Sequence, residues 1–368
     1  MAHILLYCRA GFEPECGQEI IARAAQVGLA GEAQGEANSG VVLFTSTAPQ
    51  DRPLWQRLSF TDLVFTRQWV FVADFAEDLP ARDRLTPLLE LAARRGPFGE
   101  VFVEHADTNE AKTLSPFCRK FSPLFNQAAL QSGVLQPQQG HALPRLHLFF
   151  LDAARCYVGT SPPANASAWP MGIPRVRFPP GAPSRSTLKL AEAFMVFLSA
   201  DEQQQRLRAG RRAVDLGAAP GGWSWQFASR GMRVDAIDNG PMSQALMATG
   251  LVQHARQDGF RYRPKRPVDW MVCDMVEMPS RVAQLVAEWV ARGDCRESIF
   301  NLKLPMKKRH MAVEEARQLI GAILGKAHVA FDLGFKQLYH DREEVTGHLR
   351  RLTDARQSST RKRPVRPY

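Results

Sequence analysis

The sequence predicts an α/β protein whose C-terminal half is a doubly wound, mostly parallel sheet, preceded by smaller α+β domains. Strand-like and helix-like segments alternate with short connections from residue 184 onward, which is the pattern of βαβ units. A glycine-rich loop follows the first strand of this half, at the edge where doubly wound sheets bind ligands. The chain has 368 residues, which is enough for two or three domains.

The first 160 residues predict a mixture of strands and helices in two parts, residues 1–52 and 53–160. Runs of β-branched and aromatic residues predict strands at 4–8, 40–44, 64–75 and 101–104, and a hairpin at 145–151 and 155–159. Apolar residues at helical spacing predict helices at 13–27, 85–95 and 124–130.

Residues 161–183 contain seven prolines and predict the domain boundary. Proline at this density prevents regular structure and makes a semi-rigid connector. Beyond it we expect a sheet domain over residues 184–350 and a basic, disordered tail over residues 351–368. Within the sheet domain, the sequence predicts strands at 212–216, 233–238, 268–274 and 298–303, helices at 188–198, 223–230, 280–292 and 313–325, and a final hairpin at 336–340 and 344–349.

Charge is divided unevenly along the chain, whose net charge is +10. Residues 1–170 carry 14 basic and 17 acidic side chains, whereas residues 171–368 carry 33 and 20. Such a basic half indicates a polyanionic partner, although a requirement for solubility would also explain it. The six cysteines form no Cys-x-x-Cys pair, which predicts reduced thiols in the cytoplasm and no metal site. No apolar run is long enough to span a bilayer, and the N-terminus does not resemble a signal peptide.

The strongest local signal is the loop at residues 217–222, which reads Gly-Ala-Ala-Pro-Gly-Gly. It lacks the Gly-Lys-Ser/Thr of a phosphate-binding loop and breaks the Gly-x-Gly-x-x-Gly pattern of dinucleotide sites. Acidic residues surround it instead: Asp215 in the preceding strand, Asp238 at the end of the next strand and Asp258 beyond a third. An acid at the end of the second strand can accept hydrogen bonds from ribose hydroxyls. Acids without a phosphate cradle favour a cationic cofactor, of which S-adenosylmethionine is one.

Four ionisable residues lie at the ends of predicted elements around this loop. In chain order they are Lys189, Asp274, Lys303 and Glu344, with Glu343 as an alternative to the last. The ends of neighbouring strands meet at one edge of a sheet, so these side chains can share a cleft. A lysine whose pKa is depressed by burial or by neighbouring cations can act as a base toward a weakly nucleophilic hydroxyl group. Nearby carboxylates oppose that depression, but they orient the lysine and the substrate.

The string Asp-Leu-Gly-Ala-Ala-Pro-Gly-Gly-Trp at residues 215–223 resembles motif I of the Rossmann-like ribose 2′-O-methyltransferases. This resemblance implies S-adenosylmethionine as the cofactor, with Asp238 at its ribose, Asp258 on its adenine side and Ser186 closing over it. The positions that the resemblance assigns to cofactor binding are Ser186, Ala219, Pro220, Gly221, Gly222, Asp238, Asp258 and Asp274.

The order Lys, Asp, Lys, Glu resembles the catalytic tetrad of the same family. The resemblance implies that Lys303 takes the proton of a ribose 2′-hydroxyl, that Asp274 orients Lys303, and that Lys189 and Glu344 position the ribose. The sequence departs from the family after the fourth strand, where Met275 follows Asp274 in place of the usual Asp-x-Ala-Pro. Neither an Asn-Pro-Pro-Tyr motif nor a catalytic cysteine, which are typical of base-methylating enzymes, occurs in that loop.

Longer strings at residues 184–194, 239–242, 270–277, 301–309 and 338–346 resemble a proteobacterial family of large-subunit ribosomal RNA methyltransferases. Membership implies a ferredoxin-like part at residues 1–52 and a THUMP RNA-binding domain at 53–160. It also implies 2′-O-methylation of a cytidine in the peptidyl-transferase region of 23S ribosomal RNA, cytidine 2498. We expect 23S ribosomal RNA, free or in a large-subunit assembly intermediate, as the partner of a cytoplasmic monomer.

Two basic segments are candidate RNA contacts. Residues 307–309, Lys-Lys-Arg, follow the predicted base, although a solvated helix start would explain any one of them. Arg119 and Lys120 lie between Phe117 and Phe121, ahead of the helix predicted at 124–130, where cations could bind phosphates and rings could stack on bases. The rival interpretations are a catalytically inactive RNA-binding protein, a methyltransferase for another RNA, a small molecule or a protein, and a nicotinamide-dependent oxidoreductase.

Overall fold

Residues 2–47 and 53–352 are described by the computed structural model, and they form two units that divide between Ile173 and Pro174. This division lies inside the predicted proline-rich connector at residues 161–183. The predicted tail lies outside the described residues from position 353 onward. Within the described ranges, no helix is long and apolar enough to cross a membrane.

The first unit is built on one seven-stranded sheet within residues 2–47 and 53–173. Its strands are β1 (His3–Tyr7), β2 (Gly31–Gln34), β3 (Val41–Ser46), β4 (Gln68–Ala76), β5 (Glu100–His105), β6 (Arg145–Phe150) and β7 (Cys156–Ser161), and its helices are α1 (Glu13–Gln26), α2 (Leu85–Ala93) and α3 (Ser115–Gln131). The strand order is β2-β3-β1-β4-β7-β6-β5, and only β5 and β6 run parallel. Because β4 pairs with both β1 and β7, the sheet is continuous across the two predicted parts.

Helix α3 begins at Ser115 and therefore includes the aromatic and basic segment that was expected to precede it. Phe117 and Phe121 lie four residues apart on one helix face. Both pack edge-on against buried Phe150, with ring centroids 4.9 and 5.7 Å away. Phe121 is buried by this packing and is not available to stack on an RNA base, whereas Phe117 is half-buried. The two cations between them, at positions 119 and 120, are exposed.

The second unit has the doubly wound sheet that the sequence predicts. Its strands are β8 (Arg212–Leu216), β9 (Arg233–Ile237), β10 (Val252–Ala255), β11 (Val268–Cys273), β12 (Cys295–Lys303), β13 (Phe331–Lys336) and β14 (Glu344–Arg351), and its helices are α4 (Thr187–Phe197), α5 (Ala200–Arg206), α6 (Gly222–Ala228), α7 (Gln244–Met247), α8 (Pro279–Arg292) and α9 (Arg309–Lys326). The order is β10-β9-β8-β11-β12-β14-β13, parallel as far as β12 and antiparallel beyond it.

The final hairpin differs from its prediction in the first strand. Strand β13 ends at Lys336, so the residues expected to continue it, 337–340, belong to the following loop. The side chain of Asp341 accepts the Leu338 amide at 2.9 Å and the Asp341 amide donates to the Leu338 carbonyl, which turns the chain here. This loop brings buried polar groups to the carboxyl edge of the sheet.

Helix α4 is fixed on the sheet by aromatic packing. Phe194 lies edge-on to Phe227 of α6 and to Trp270 of β11, with ring centroids 5.7 and 5.8 Å away. All three rings are almost completely buried. Burial of large aromatic side chains contributes strongly to stability, so this contact holds α4 against the sheet.

Candidate active site

Four charged side chains meet at the carboxyl edge of the second sheet. Lys303 is the last residue of β12, Asp274 directly follows β11, and Lys189 lies in the first turn of α4. Glu344 begins β14, which runs antiparallel to β12, so its first residue lies beside the last residue of β12. The structure therefore brings together the four residues that the sequence singled out for catalysis.

The four groups alternate in sign around a closed ring, which we call the ion-pair ring. Lys303 Nζ is 2.6 Å from Asp274 Oδ1 and also contacts Glu344 Oε2. Lys189 Nζ is 3.6 Å from Asp274 Oδ2 and also contacts Glu344 Oε1. Each carboxylate bridges both ammonium groups. The side chain of Glu344 is 6% exposed and that of Lys303 is 25% exposed, so the lysine is the member that a substrate reaches most easily.

The carboxylates set the protonation state of Lys303. Burial lowers the pKa of its ammonium group, but the charges of Asp274 and Glu344 and the hydrogen bonds to them outweigh burial and raise the pKa above its ordinary value. As expected for a lysine beside carboxylates, Asp274 and Glu344 oppose the depression of the pKa that burial alone would cause. Lys303 is therefore protonated at neutral pH in this arrangement.

Glu343, the alternative fourth member, points away from the ion-pair ring. Its side chain is 63% exposed and lies 2.6 Å from Arg309 Nη2. Successive residues of an extended chain point to opposite sides, so only one of two neighbouring glutamates can face the lysines. That residue is Glu344.

A buried layer of polar side chains supports the ion-pair ring, and sequence reasoning missed it. Asn301 Nδ2 donates to Asp274 Oδ1 at 2.9 Å, and Asn301 Oδ1 lies 2.8 Å from Thr346 Oγ1. Thr346 Oγ1 also lies 3.0 Å from Asp341 Oδ2. A signal was available, because Asn301 precedes Lys303 by two positions and Thr346 is the register partner of Asn301. Residues two apart on a strand share one face of the sheet.

The glycine loop lies between β8 and α6, as predicted, and Asp238 fastens it to the end of β9. The two carboxylate oxygens of Asp238 accept the amides of Ala219 at 3.0 Å and of Gly240 at 2.7 Å. The peptide bond between Ala219 and Pro220 is cis. Each oxygen of Asp238 keeps a further lone pair, and the side chain is only half-buried, so it can still accept from a ligand hydroxyl.

Glycine is required at two positions of the loop for different reasons. Gly221 adopts a φ of 113°, a conformation that other residues rarely take. A Cβ atom on Gly222 would lie 2.3 Å from Ser186 Oγ and 2.4 Å from Ser184 Oγ. The missing side chain therefore lets the segment before α4, which carries Ser186, lie directly against the loop.

The acids around the loop fit a cationic ligand. Asp215 is buried; its Oδ2 accepts from Ser224 Oγ at 2.7 Å, and its Oδ1 has no hydrogen-bond partner among the described residues. Burial raises the pKa of this carboxyl to about 7, the Ser224 hydrogen bond opposes the rise, and the charges of Asp274 and Asp238 add to it. A positive charge bound beside these three carboxylates would relieve their mutual repulsion.

Asp258, predicted to lie on the adenine side of the cofactor, is held by contacts of its own turn. It follows β10, its Oδ1 accepts the Phe260 amide at 2.9 Å, and its Oδ2 is 3.6 Å from Arg261 Nε. Its side chain is 52% exposed. Among the described residues, its contacts lie within its own turn.

Two loops expose apolar and basic side chains next to the ion-pair ring. The loop after β12 exposes Met306, at 92%, together with Lys307 and Lys308. The loop after β11 exposes Val276, at 89%. Arg309 differs from the two lysines, because it begins α9 and is held by Glu343.

Three parts of the chain match known families. Residues 1–70 match the RlmM ferredoxin-like domain, and residues 83–162 match the N-terminal region of ribosomal RNA large subunit methyltransferase M. Residues 182–296 match the FtsJ-like methyltransferase family, and this segment contains the glycine loop and Asp274.

Among solved structures, the chain resembles Aeropyrum pernix fibrillarin in complex with S-adenosyl-L-methionine. The TM-score is 0.32 and the sequence identity is 10%, over 55% of this chain and 81% of that one. A TM-score this low supports no statement about this chain.

Proteins related in sequence align with almost the whole chain. Ribosomal RNA large subunit methyltransferase M of Methylococcus capsulatus is 51% identical over 352 residues, which is 94% of this chain and 97% of that protein. The protein of the same name from Klebsiella pneumoniae is 50% identical over 357 residues, which is 96% of this chain and 97% of that protein. With this identity over both units, the chain belongs to the ribosomal RNA large subunit methyltransferase M family.

Proposed function

We propose that this protein transfers a methyl group from S-adenosylmethionine to the ribose 2′-oxygen of a cytidine in 23S ribosomal RNA, cytidine 2498 in the family's assignment. Family membership supports ribosomal RNA methyltransfer as the activity. The ion-pair ring is the observation that supports a ribose hydroxyl as the acceptor, because a hydroxyl group must lose a proton to become a nucleophile.

Lys303 is the base in this proposal. It is the most exposed member of the ring, and Asp274 holds its Nζ in one direction through a 2.6 Å contact. Lys189 touches the same two carboxylates and so competes with Lys303 for their negative charge. Glu344 joins the two lysines from the buried side. The neutral form of Lys303 is reached when additional positive charge at the site further weakens the attraction of the carboxylates for its proton.

The cofactor lies against the glycine loop in this proposal. S-adenosylmethionine, when bound, supplies an electrophilic methyl group on a positively charged sulfur. Asp238 accepts from its ribose hydroxyls, Asp258 lies on the adenine side, and Asp274 lies near the methyl group. The remaining positions proposed to hold it are Ser186, Ala219, Pro220, Gly221 and Gly222.

RNA contacts the two exposed loops beside the ring. Lys307 and Lys308 neutralise phosphates, and the apolar side chains of Met306 and Val276 contact the nucleotide next to Lys303. The first unit supplies a ferredoxin-like part and a THUMP RNA-binding domain, with the limits predicted above. Arg119 and Lys120, exposed on α3, are the candidate phosphate contacts of that unit. We also propose that the protein is a monomer and lies in the cytoplasm.

The test is methyl transfer from radiolabelled S-adenosylmethionine to ribosomal RNA from cells that lack the enzyme. Alkali cleaves RNA except after a 2′-O-methylated nucleotide, so we expect the label in alkali-resistant dinucleotides. Lys303→Arg is the key variant, because arginine keeps the positive charge of the ring and cannot be deprotonated. Label in alkali-sensitive nucleotides would mean base methylation, and full activity of Lys303→Arg would exclude Lys303 as the base.

A further inference from the structure

The hydroxyl group of Thr346 lies between two acceptors in the buried layer below the ion-pair ring. Its Oγ1 is 2.8 Å from Asn301 Oδ1, and it is 3.2 and 3.0 Å from Oδ1 and Oδ2 of Asp341. A hydroxyl group has one proton and can donate to only one of them. All three side chains are fully buried. If Asp341 were ionised, one pair of oxygens would face each other with no proton between them, which is unfavourable away from water.

The other end of Asn301 decides which acceptor receives the proton of Thr346. Asn301 Nδ2 lies 2.9 Å from Asp274 Oδ1. Asp274 faces two lysines, so it is a carboxylate and can only accept. Asn301 must therefore turn its amino group toward Asp274 and its carbonyl oxygen toward Thr346. Thr346 donates to that carbonyl oxygen, and the proton between Thr346 and Asp341 must come from Asp341.

We propose that Asp341 carries a proton in the working protein and begins a one-way chain of hydrogen bonds that positions Asp274 and, through it, Lys303. Asp341 donates to Thr346, Thr346 donates to Asn301, and Asn301 donates to Asp274. Oδ2 of Asp341 accepts the Leu338 amide at 2.9 Å, which leaves Oδ1 to carry the proton. Asp341 is thus a positioning residue. Its effect on catalysis rests on the proposed function, whereas its protonation does not.

The groups that face Asp341 favour its neutral form. Burial and the negative charges of Glu344 on β14 and Glu192 on α4 raise the pKa of its carboxyl well above the usual range. The amide of Leu338 and the charge of Lys189 on α4 oppose this rise but do not cancel it. Glu192 also accepts the amides of residues 339 and 340, at 2.7 and 3.0 Å, and lies 2.6 Å from Nδ1 of His340 in the same loop.

Two pairs of variants in the full-length protein test the direction of the chain. Thr346→Val removes the hydroxyl group and keeps the shape, so we expect kcat to fall about threefold to tenfold with an unchanged KM for S-adenosylmethionine. Thr346→Ser should restore kcat. Asp341→Asn places an N–H donor where the carboxyl proton lies and keeps an oxygen for the Leu338 amide, so it should restore most of the activity that Asp341→Leu loses.

An infrared difference spectrum measures the proton directly. The spectrum of the wild type minus that of Asp341→Asn, recorded at pH 7 without RNA, should show the carbonyl stretch of a protonated carboxyl group. The contribution of Asp215 is the same in both proteins and cancels in the difference. Absence of this band, or an Asp341→Asn variant as impaired as Asp341→Leu while both unfold at the wild-type temperature, would overturn the proposal. If the band is present but the wild-type protein methylates no RNA, Asp341 is protonated as proposed, and the proposed function is refuted instead.

Discussion

Lys303 and Glu344 are register partners at the end of the antiparallel pair β12–β14, although 41 residues separate them in the chain. A shift of the register by one residue would turn Glu344 to the opposite face of the sheet. The ion pair therefore depends on the same backbone hydrogen bonds that hold the strands together. This arrangement places a charged pair at the edge of a buried sheet without requiring either side chain to cross the core.

Glu344→Gln should move the pH dependence of methyl transfer to lower pH. Glu344 is one of the two carboxylates that raise the pKa of Lys303, and a base becomes active as the pH passes its pKa. We expect the rising limb of the single-turnover rate to shift down by about one pH unit, while the maximum falls about tenfold because the ring loses a member. The exposed neighbour provides the control, since Glu343→Gln should leave the limb in place. If the rising limb of the pH profile does not shift in Glu344→Gln, Glu344 does not raise the pKa of the catalytic base.

Gly222→Ala should weaken cofactor binding more than it weakens the fold. The added methyl group meets the hydroxyl oxygens of Ser186 and Ser184 at less than 2.5 Å, so the segment before α4 must move away from the glycine loop. We expect the Kd for S-adenosylmethionine, measured by calorimetry, to rise at least about tenfold, which is about 1.4 kcal/mol. Gly321→Ala on α9 is the control, because a Cβ atom there meets nothing within 4 Å. Equal affinities for both variants would show that this contact does not shape the cofactor site.

Asp215→Asn should flatten part of the pH dependence of stability. The ordinary pKa of this carboxyl is 3.8, and burial raises it to about 7 in the folded protein. An acid whose pKa rises on folding stabilises the fold below its unfolded pKa, and that contribution is lost as the pH rises through the folded value. The Tm of the variant minus that of wild type should therefore grow by several degrees between pH 4 and 7 and level off above.

Thermal unfolding over that pH range measures the effect. Asp258→Asn serves as the control, because its half-exposed carboxylate keeps its hydration in the fold. A Tm difference for Asp215→Asn that stays constant across the range would mean that Asp215 is ionised throughout.

Lys307→Gln with Lys308→Gln should weaken RNA binding and make it less sensitive to salt. Each phosphate contact that is lost should reduce the slope of log K against log salt concentration by about one. Arg309→Gln is the matched control, since this guanidinium is already held by Glu343 and adds less to the field beside the ring. Filter binding to 23S ribosomal RNA at several salt concentrations measures the slopes. A slope unchanged in the double variant would place the RNA contacts elsewhere.

Local sequence patterns predicted most elements of the second unit. They placed wrongly the boundaries of segments whose conformation depends on tertiary contacts. The strand predicted at residues 212–216 coincides with β8, because a short apolar run followed by glycine has few alternatives. Helix α3 begins nine residues before the predicted start, since Pro123 lies inside it and the segment before Pro123 looked irregular. The first strand of the last hairpin was shifted toward the C-terminus, because the loop contacts of Asp341 cannot be read from hydrophobic pattern.

By itself, the sequence determined the doubly wound class, the glycine loop and three of the four charged residues, Lys189, Asp274 and Lys303, because periodicity and motif spacing are local properties. Only the tertiary structure decided that Glu344 rather than Glu343 faces the lysines, that the pKa of Lys303 is raised rather than lowered, and that Asn301, Thr346 and Asp341 form the layer below. These outcomes depend on distances between strands and on burial. These distances and this burial are set by the packing of α4 against β11 and by the pairing of β14 with β12. These elements are far apart in the chain and meet only in the folded protein.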